Sequence, residues 1–188
     1  MNRQRCFRAA MLTVAAIALI SLAACGDDTA LLPRKAIVPV SVVTQYFPEV
    51  TNESGTGPNE TRVGKPVASR SAVFTSADGK KKVTLSVDKY ANADAAADAY
   101  RTAVEGSKAA PGFKPAASPN LGDEAFAGTS QVAAEMHFGL GARDGNLIVS
   151  ATHAGDIPVT PDNSNNLIAL AGVELATAKQ VLAAASKE

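Results

Sequence analysis

The sequence predicts an α+β fold: an antiparallel sheet of four to five strands packed against two longer helices, with a short N-terminal helix. Three observations carry this expectation. Residues 82–90, 132–140 and 147–151 alternate apolar and polar side chains with the period of two that a half-buried strand needs. Residues 92–106 and 168–185 instead repeat apolar positions every three or four residues, as one face of a helix does. Turn dipeptides separate the strand-like segments in pairs, so hairpins are expected rather than strands that each alternate with a helix.

Each element has its own local reason. Ser41 is placed to cap a short helix carrying Val42, Val43, Tyr46 and Phe47, and Pro48 ends it by forcing the preceding residue out of helical geometry. Residues 51–66 are rich in Asn, Gly, Thr, Glu and Pro and read as a loop. Strands at 67–75 and 82–90 then turn about Asp78-Gly79. Asn92 caps the first long helix, with Asp94 in its first turn, and Ala93, Ala96, Ala97, Tyr100 and Val104 share one side. That helix ends between Gly106 and Pro111.

A short strand is expected at Phe126. A second hairpin follows, with Val132, Ala134, Met136, Phe138 and Leu140 on one strand and Leu147, Val149 and Ala151 on the next. A two-residue turn at Asp144-Gly145 pairs His137 with Thr152 and puts His137 and His153 on opposite faces; a three-residue turn could bring them together. Residues 155–166 form a polar loop. Ile168, Ala171, Leu175, Ala178, Leu182 and Ala185 mark the last helix.

Composition limits the function classes. A length of 188 residues suits one core, and 18 basic against 18 acidic side chains leave no surplus for phosphate backbones. No nucleic-acid partner is expected. Hydrophobic residues reach 46% but aromatics only 5%, with no Trp, so the core draws heavily on small side chains.

The N-terminus carries an address. Arg3, Arg5 and Arg8 precede an apolar run over residues 9–22, too short to span a bilayer comfortably. The run ends in Leu22-Ala23-Ala24-Cys25, which resembles the lipobox of bacterial lipoproteins. That resemblance implies a signal peptide over residues 1–24, cleavage before Cys25, and a diacylglyceryl group on the Cys25 sulfur. Residues 25–39 are then read as the lipidated Cys and a tether, and 40–188 as one α+β domain. Two acyl chains suffice for stable anchoring, which predicts a lipid-anchored protein on the extracytoplasmic face of the cell membrane, periplasmic or at the cell surface. Cys6 falls in the discarded segment, leaving no cysteine pair for a disulfide. Loss of three Arg leaves 15 basic and 18 acidic side chains, a formal charge of −3, so the lipid and not a basic patch holds the membrane.

Catalytic signals are sparse. Gly139, Gly141 and Gly145 mimic a dinucleotide loop, but the third glycine falls one place late and no helix follows, so no cofactor is expected. There is no phosphate-binding loop, nucleophile elbow or zinc-protease motif, and neither an enzyme nor a metal site is expected. Only His137, with Glu135 on its strand face, and His153 offer imidazoles. Lys80, Lys81 and Lys82 read as a solvated turn. Gly139 and Gly141 bare one strand face, which allows either a packed helix or a ligand groove edged by Arg143 and the 155–166 loop. The expected function is a non-catalytic envelope domain binding a small molecule, a lipid or an envelope protein. The alternatives are an accessory interaction module without ligand and, last, a hydrolase.

Leu121-Gly122-Asp123-Glu124-Ala125-Phe126, followed by Arg143-Asp144-Gly145-Asn146-Leu147-Ile148-Val149 and an Ala/Leu-rich terminal helix, is similar to a pattern in small actinobacterial cell-envelope lipoproteins of unknown function. The resemblance covers roughly the last 70 residues and implies a shared fold; a cysteine pair common in such proteins is absent here. In physical terms Gly122 supplies a turn, Asp123 caps it, and Phe126 enters the core.

Overall fold

A computed structural model describes residues 29–132 and 135–185; the expected signal peptide, Cys25 and residues 26–28 lie outside the described residues. The chain is α+β, with three helices and one eight-stranded, mainly antiparallel sheet among the described residues. In order these are β1 (Ala30–Leu31), a 3-10 turn (Arg34–Ala36), α1 (Val40–Tyr46), β2 (Val50–Gly57), β3 (Ala68–Ser76), β4 (Lys81–Lys89), α2 (Ala93–Ala109), β5 (Lys114–Pro115), β6 (Glu124–Val132), β7 (Glu135–Asp144), β8 (Leu147–Gly155) and α3 (Pro161–Ala185). The strands lie in the order β1-β3-β4-β8-β7-β6-β5, with β2 antiparallel to β3 and β1 parallel to it.

Four to five strands were expected, and the difference has physical causes. In β2 residues 51–56 are all exposed, so no buried face writes an alternation into the sequence. Backbone pairing with β3 holds it, with two register shifts of the kind that blunt an edge strand. The expected short strand at Phe126 is the nine-residue β6. The alternating run expected from Val132 onward is divided between β6 and β7, and the intervening 133–134 lie outside the described residues.

The expected tether and the boundary at residue 40 also need correction. Leu32, Ala36, Ile37 and Val38 are buried in the main core, and Ala30 donates a backbone hydrogen bond to the Val67 carbonyl at 3.0 Å. The folded unit therefore starts by Thr29. Its run of apolar residues was too short to show a period.

One sheet face carries the main core. Phe74, Val83, Leu85, Val87, Phe138, Leu140, Val149 and Ala151 meet Leu167, Leu170, Ala171, Leu175 and Ala178 of α3 and Val43 of α1. Full burial of each larger side chain is worth about 2 kcal/mol. By length and composition α3 could cross a membrane, yet this stripe of it is spent on the sheet. Pro39 rather than Ser41 precedes α1, with Ser41 inside the first turn. Thr160 starts α3 ahead of the expected position by accepting the Asn163 amide at 3.2 Å, with Pro161 at the first helical position where its missing N–H costs nothing.

The opposite face is covered in part by α2. Ala96, Ala99 and Tyr100 pack with Tyr90 and Ile148, with Val104 and Phe126 at the margin. The Asn92 cap is as expected, its side-chain oxygen accepting the Ala95 amide at 2.8 Å.

Candidate functional site

Register assigns each strand residue to a face. Gly128, Gly139, Thr152, Thr84 and Val73 stand in one row across β6-β7-β8-β4-β3, and Phe126, Gly141, Ser150, Ser86 and Ser71 in the next. Both rows lie on the α2 side, because Phe126 packs there. One end of this face is closed by α2, and toward β6 the Phe113 ring stacks on Phe126 at 5.4 Å. A Cβ on Gly128 would overlap that ring, so Gly128 exists to admit Phe113. Gly141 differs. A Cβ there would meet only the Ser150 hydroxyl, at 4.0 Å, so the space above it is open.

The floor of this opening is short and polar. Thr84, Ser150 and Thr152 are half-buried, and Ser86 is 95% buried at 5% exposure. Against Ser71 the hydroxyl is used within the chain, donating to the Pro58 carbonyl at 3.3 Å. Each free hydroxyl offers one donor and two acceptor positions.

The sequence-predicted residues divide. Gly139 and Gly141 share this face as expected, and Gly139 is buried. Arg143 is committed elsewhere: it donates to Asp123 at 3.1 Å, to Glu124 at 3.0 Å and to the Gly145 carbonyl at 3.2 Å. The 155–166 segment does not edge the groove. It starts at the far end of β8 from Ile148, the partner of Arg143, and lines a cavity of about 160 Å³ with Tyr46, Phe47, Glu49 and Lys81. Lys81 pairs there with Glu49, so the lysine turn is not wholly solvated.

The two histidines lie on opposite faces, as a two-residue turn requires. The turn is Gly145-Asn146, with Gly145 at φ 58°, rather than Asp144-Gly145, and this moves the register by two so that Gly139 faces Thr152. Parity is unchanged. His153 sits in the core against Phe138 at 5.8 Å and Phe47 at 6.0 Å, and burial pushes it down to about 4. Burial also lowers His137, opposed by Glu135 at 3.6 Å. The two rings do not share a metal, and among the described residues no group of three His, Cys, Asp or Glu is placed to hold one.

Two buried carboxyls were not foreseen. Asp88, on the same face, is raised to about 7 by burial, against the Asn59 amide that donates to it at 2.7 Å and the nearby Arg62. Glu174 of α3 is raised to about 7 by burial while accepting the Val38 amide at 2.9 Å. Asp88 follows the alternation expected of a wet face; only the Asn59 loop covering it makes it buried. Glu174 lies three residues after Ala171 and four before Ala178, so helical spacing sets it on the buried stripe, and only its charge spoke against burial.

No family model matches the chain, and no curated protein matches it. Among solved structures it is similar to the extracellular domain of PknH from Mycobacterium tuberculosis, at 12% identity and a TM-score of 0.49, over 75% of this chain and 93% of that one.

Proposed function

We propose that this chain is a lipid-anchored, non-catalytic domain on the extracytoplasmic face of the cell membrane, and that it binds a small polar molecule on the open half of the α2-side sheet face. The anchor rests on the lipobox at Cys25. The binding site rests on one observation: above Gly141 the face is open, and its floor is made of serine and threonine hydroxyls without partners among the described residues.

The same floor supports a binding role over a catalytic one. A hydroxyl nucleophile needs a base within hydrogen-bond reach, and Thr84, Ser86, Ser150 and Thr152 have none among the described residues. His137 and Asp88 share the face, but each lies in a different row from these hydroxyls. The arrangement can hold a ligand by many weak, neutral hydrogen bonds.

Native mass spectrometry of residues 26–188, purified from a bacterial host, tests this. A mass excess that disappears on denaturation is expected, and Gly141→Val, which fills the open space, abolishes it. An excess that survives Gly141→Val would move the ligand elsewhere.

A further inference from the structure

The place where the folded unit starts has a consequence for how it sits on a membrane. Thr29 is fixed by its hydroxyl, which donates to the Pro66 carbonyl at 3.1 Å, and Ala30 is paired to Val67. Between Cys25 and Thr29 there are four peptide steps, so in any conformation the two Cα atoms lie within about 14 Å of each other. If Cys25 carries acyl chains, the pole of the sheet around Thr29 is pressed against the headgroups.

Two of the three large apolar side chains exposed among the described residues stand at that pole. Among the described residues the large hydrophobics most exposed are Leu31 at 52%, Val67 at 46% and Met136 at 41%. Leu31 pairs with Ser69, and the Val67 carbonyl accepts the Ala30 amide, so Leu31 and Val67 both lie at the start of the β1–β3 pairing. Lys65 is exposed beside them, and the Lys89 carbonyl accepts the Val67 amide at 2.7 Å. The same pole opens a groove of about 350 Å³ lined by Lys89, Leu147, Lys179 and Leu182.

We propose that this pole docks onto the bilayer surface, with Leu31 and Val67 entering the headgroup boundary, an inference that rests on the acylation of Cys25. The occupant is a lipid surface because the anchor's reach leaves no room for another partner between the pole and the membrane. The side chains that lead the contact, Leu31 and Val67, are apolar, so the contact is insensitive to salt. The binding face above Gly141 then stands roughly upright to the membrane rather than lying on it.

The chain contains no Trp, which makes single-tryptophan variants clean depth probes. Leu31→Trp, Val67→Trp and, at the opposite pole about 30 Å away by strand rise and spacing, Met136→Trp are made in the full-length precursor. The membrane-extracted products are reconstituted in phosphatidylethanolamine/phosphatidylglycerol vesicles with brominated acyl chains. Emission from positions 31 and 67 is expected to fall about twofold relative to unbrominated vesicles, at low and high salt alike, with position 136 unchanged. All three replacements are at exposed sites, and circular dichroism verifies the fold. An acylated, vesicle-bound chain whose positions 31 and 67 are no more quenched than 136 would overturn the docking and leave the anchor standing. A product lacking the diacylglyceryl mass would overturn both.

Discussion

Asp123 accepts, at a single carboxylate oxygen, both the Gly145 amide at 2.9 Å and the Arg143 guanidinium at 3.1 Å. The segment before β6 thereby clamps the β7–β8 turn, 22 residues away in sequence. The Asp123 amide completes the clamp by donating to the Arg143 carbonyl at 2.7 Å. The Leu121–Phe126 and Arg143–Val149 patterns quoted above are thus two halves of one structural device, which explains why Arg143 is unavailable to a ligand.

Gly122 is the tightest point of that clamp. Its φ is 65°, and a Cβ there would run into the Arg143 carbonyl oxygen. Gly122→Ala is expected to lower stability by about 1–3 kcal/mol in urea denaturation. Asp123→Ala, at a half-exposed site, is expected to cost only about 1 kcal/mol.

Gly128 and Gly141, two rows of the same face, should respond oppositely to a methyl group. Gly128→Ala displaces Phe113 from its seat and is expected to destabilise by about 1–3 kcal/mol. Gly141→Ala meets open space and should leave the denaturation midpoint unchanged or raise it slightly, because a strand glycine is entropically costly.

The buried ionisable groups set opposing pH dependences. Asp88 and Glu174 have folded values of about 7 against ordinary values of 3.8 and 4.5, so the folded state holds more protons than the unfolded one between those limits. Their stabilising contribution is present at the acid end and lost as pH rises through 7. His153, lowered to about 4 from 6.5, acts in the other sense, and its contribution is lost as pH falls from 6.5 through 4. Asp88→Asn should therefore make stability rise more steeply from pH 4 to 7, and His153→Phe should make it fall more steeply. Denaturant midpoints measured across that range check both signs.

His153 has no hydrogen bond at either ring nitrogen among the described residues. Replacing an unpaired buried polar ring between Phe47 and Phe138 by an apolar ring of similar size removes a desolvation cost. His153→Phe is expected to raise the melting temperature at neutral pH.

What the sequence made legible was what local physics decides. Asn92 and the spaced alanines announced α2, and Asp78-Gly79 announced the β3–β4 hairpin, with Gly79 at φ 73°. The parity of His137 and His153 survived a misplaced turn because a one-residue shift of a two-residue turn moves the register by two. Elements held only by distant partners were silent. β2 buries no face of its own, and β1 is two residues long, so neither has a period to read. Gly128 is explained only by Phe113, and Glu174 by Val38, through contacts that no spacing in the chain foretells. The glycine-bared face was legible as either groove or helix seat; α2 covers it toward Ile148, while a Cβ on Gly141 would meet only the Ser150 hydroxyl.

The most direct test of the binding face is amide hydrogen exchange at residues 84–86 and 150–152, comparing the chain as purified from its bacterial host with the same sample denatured and refolded. A ligand on the hydroxyl floor predicts that protection at these strands is higher as purified, falls on refolding, and does not differ between the two samples of Gly141→Val. Equal protection before and after refolding in the native sequence, with any difference confined to other strands, would contradict the account.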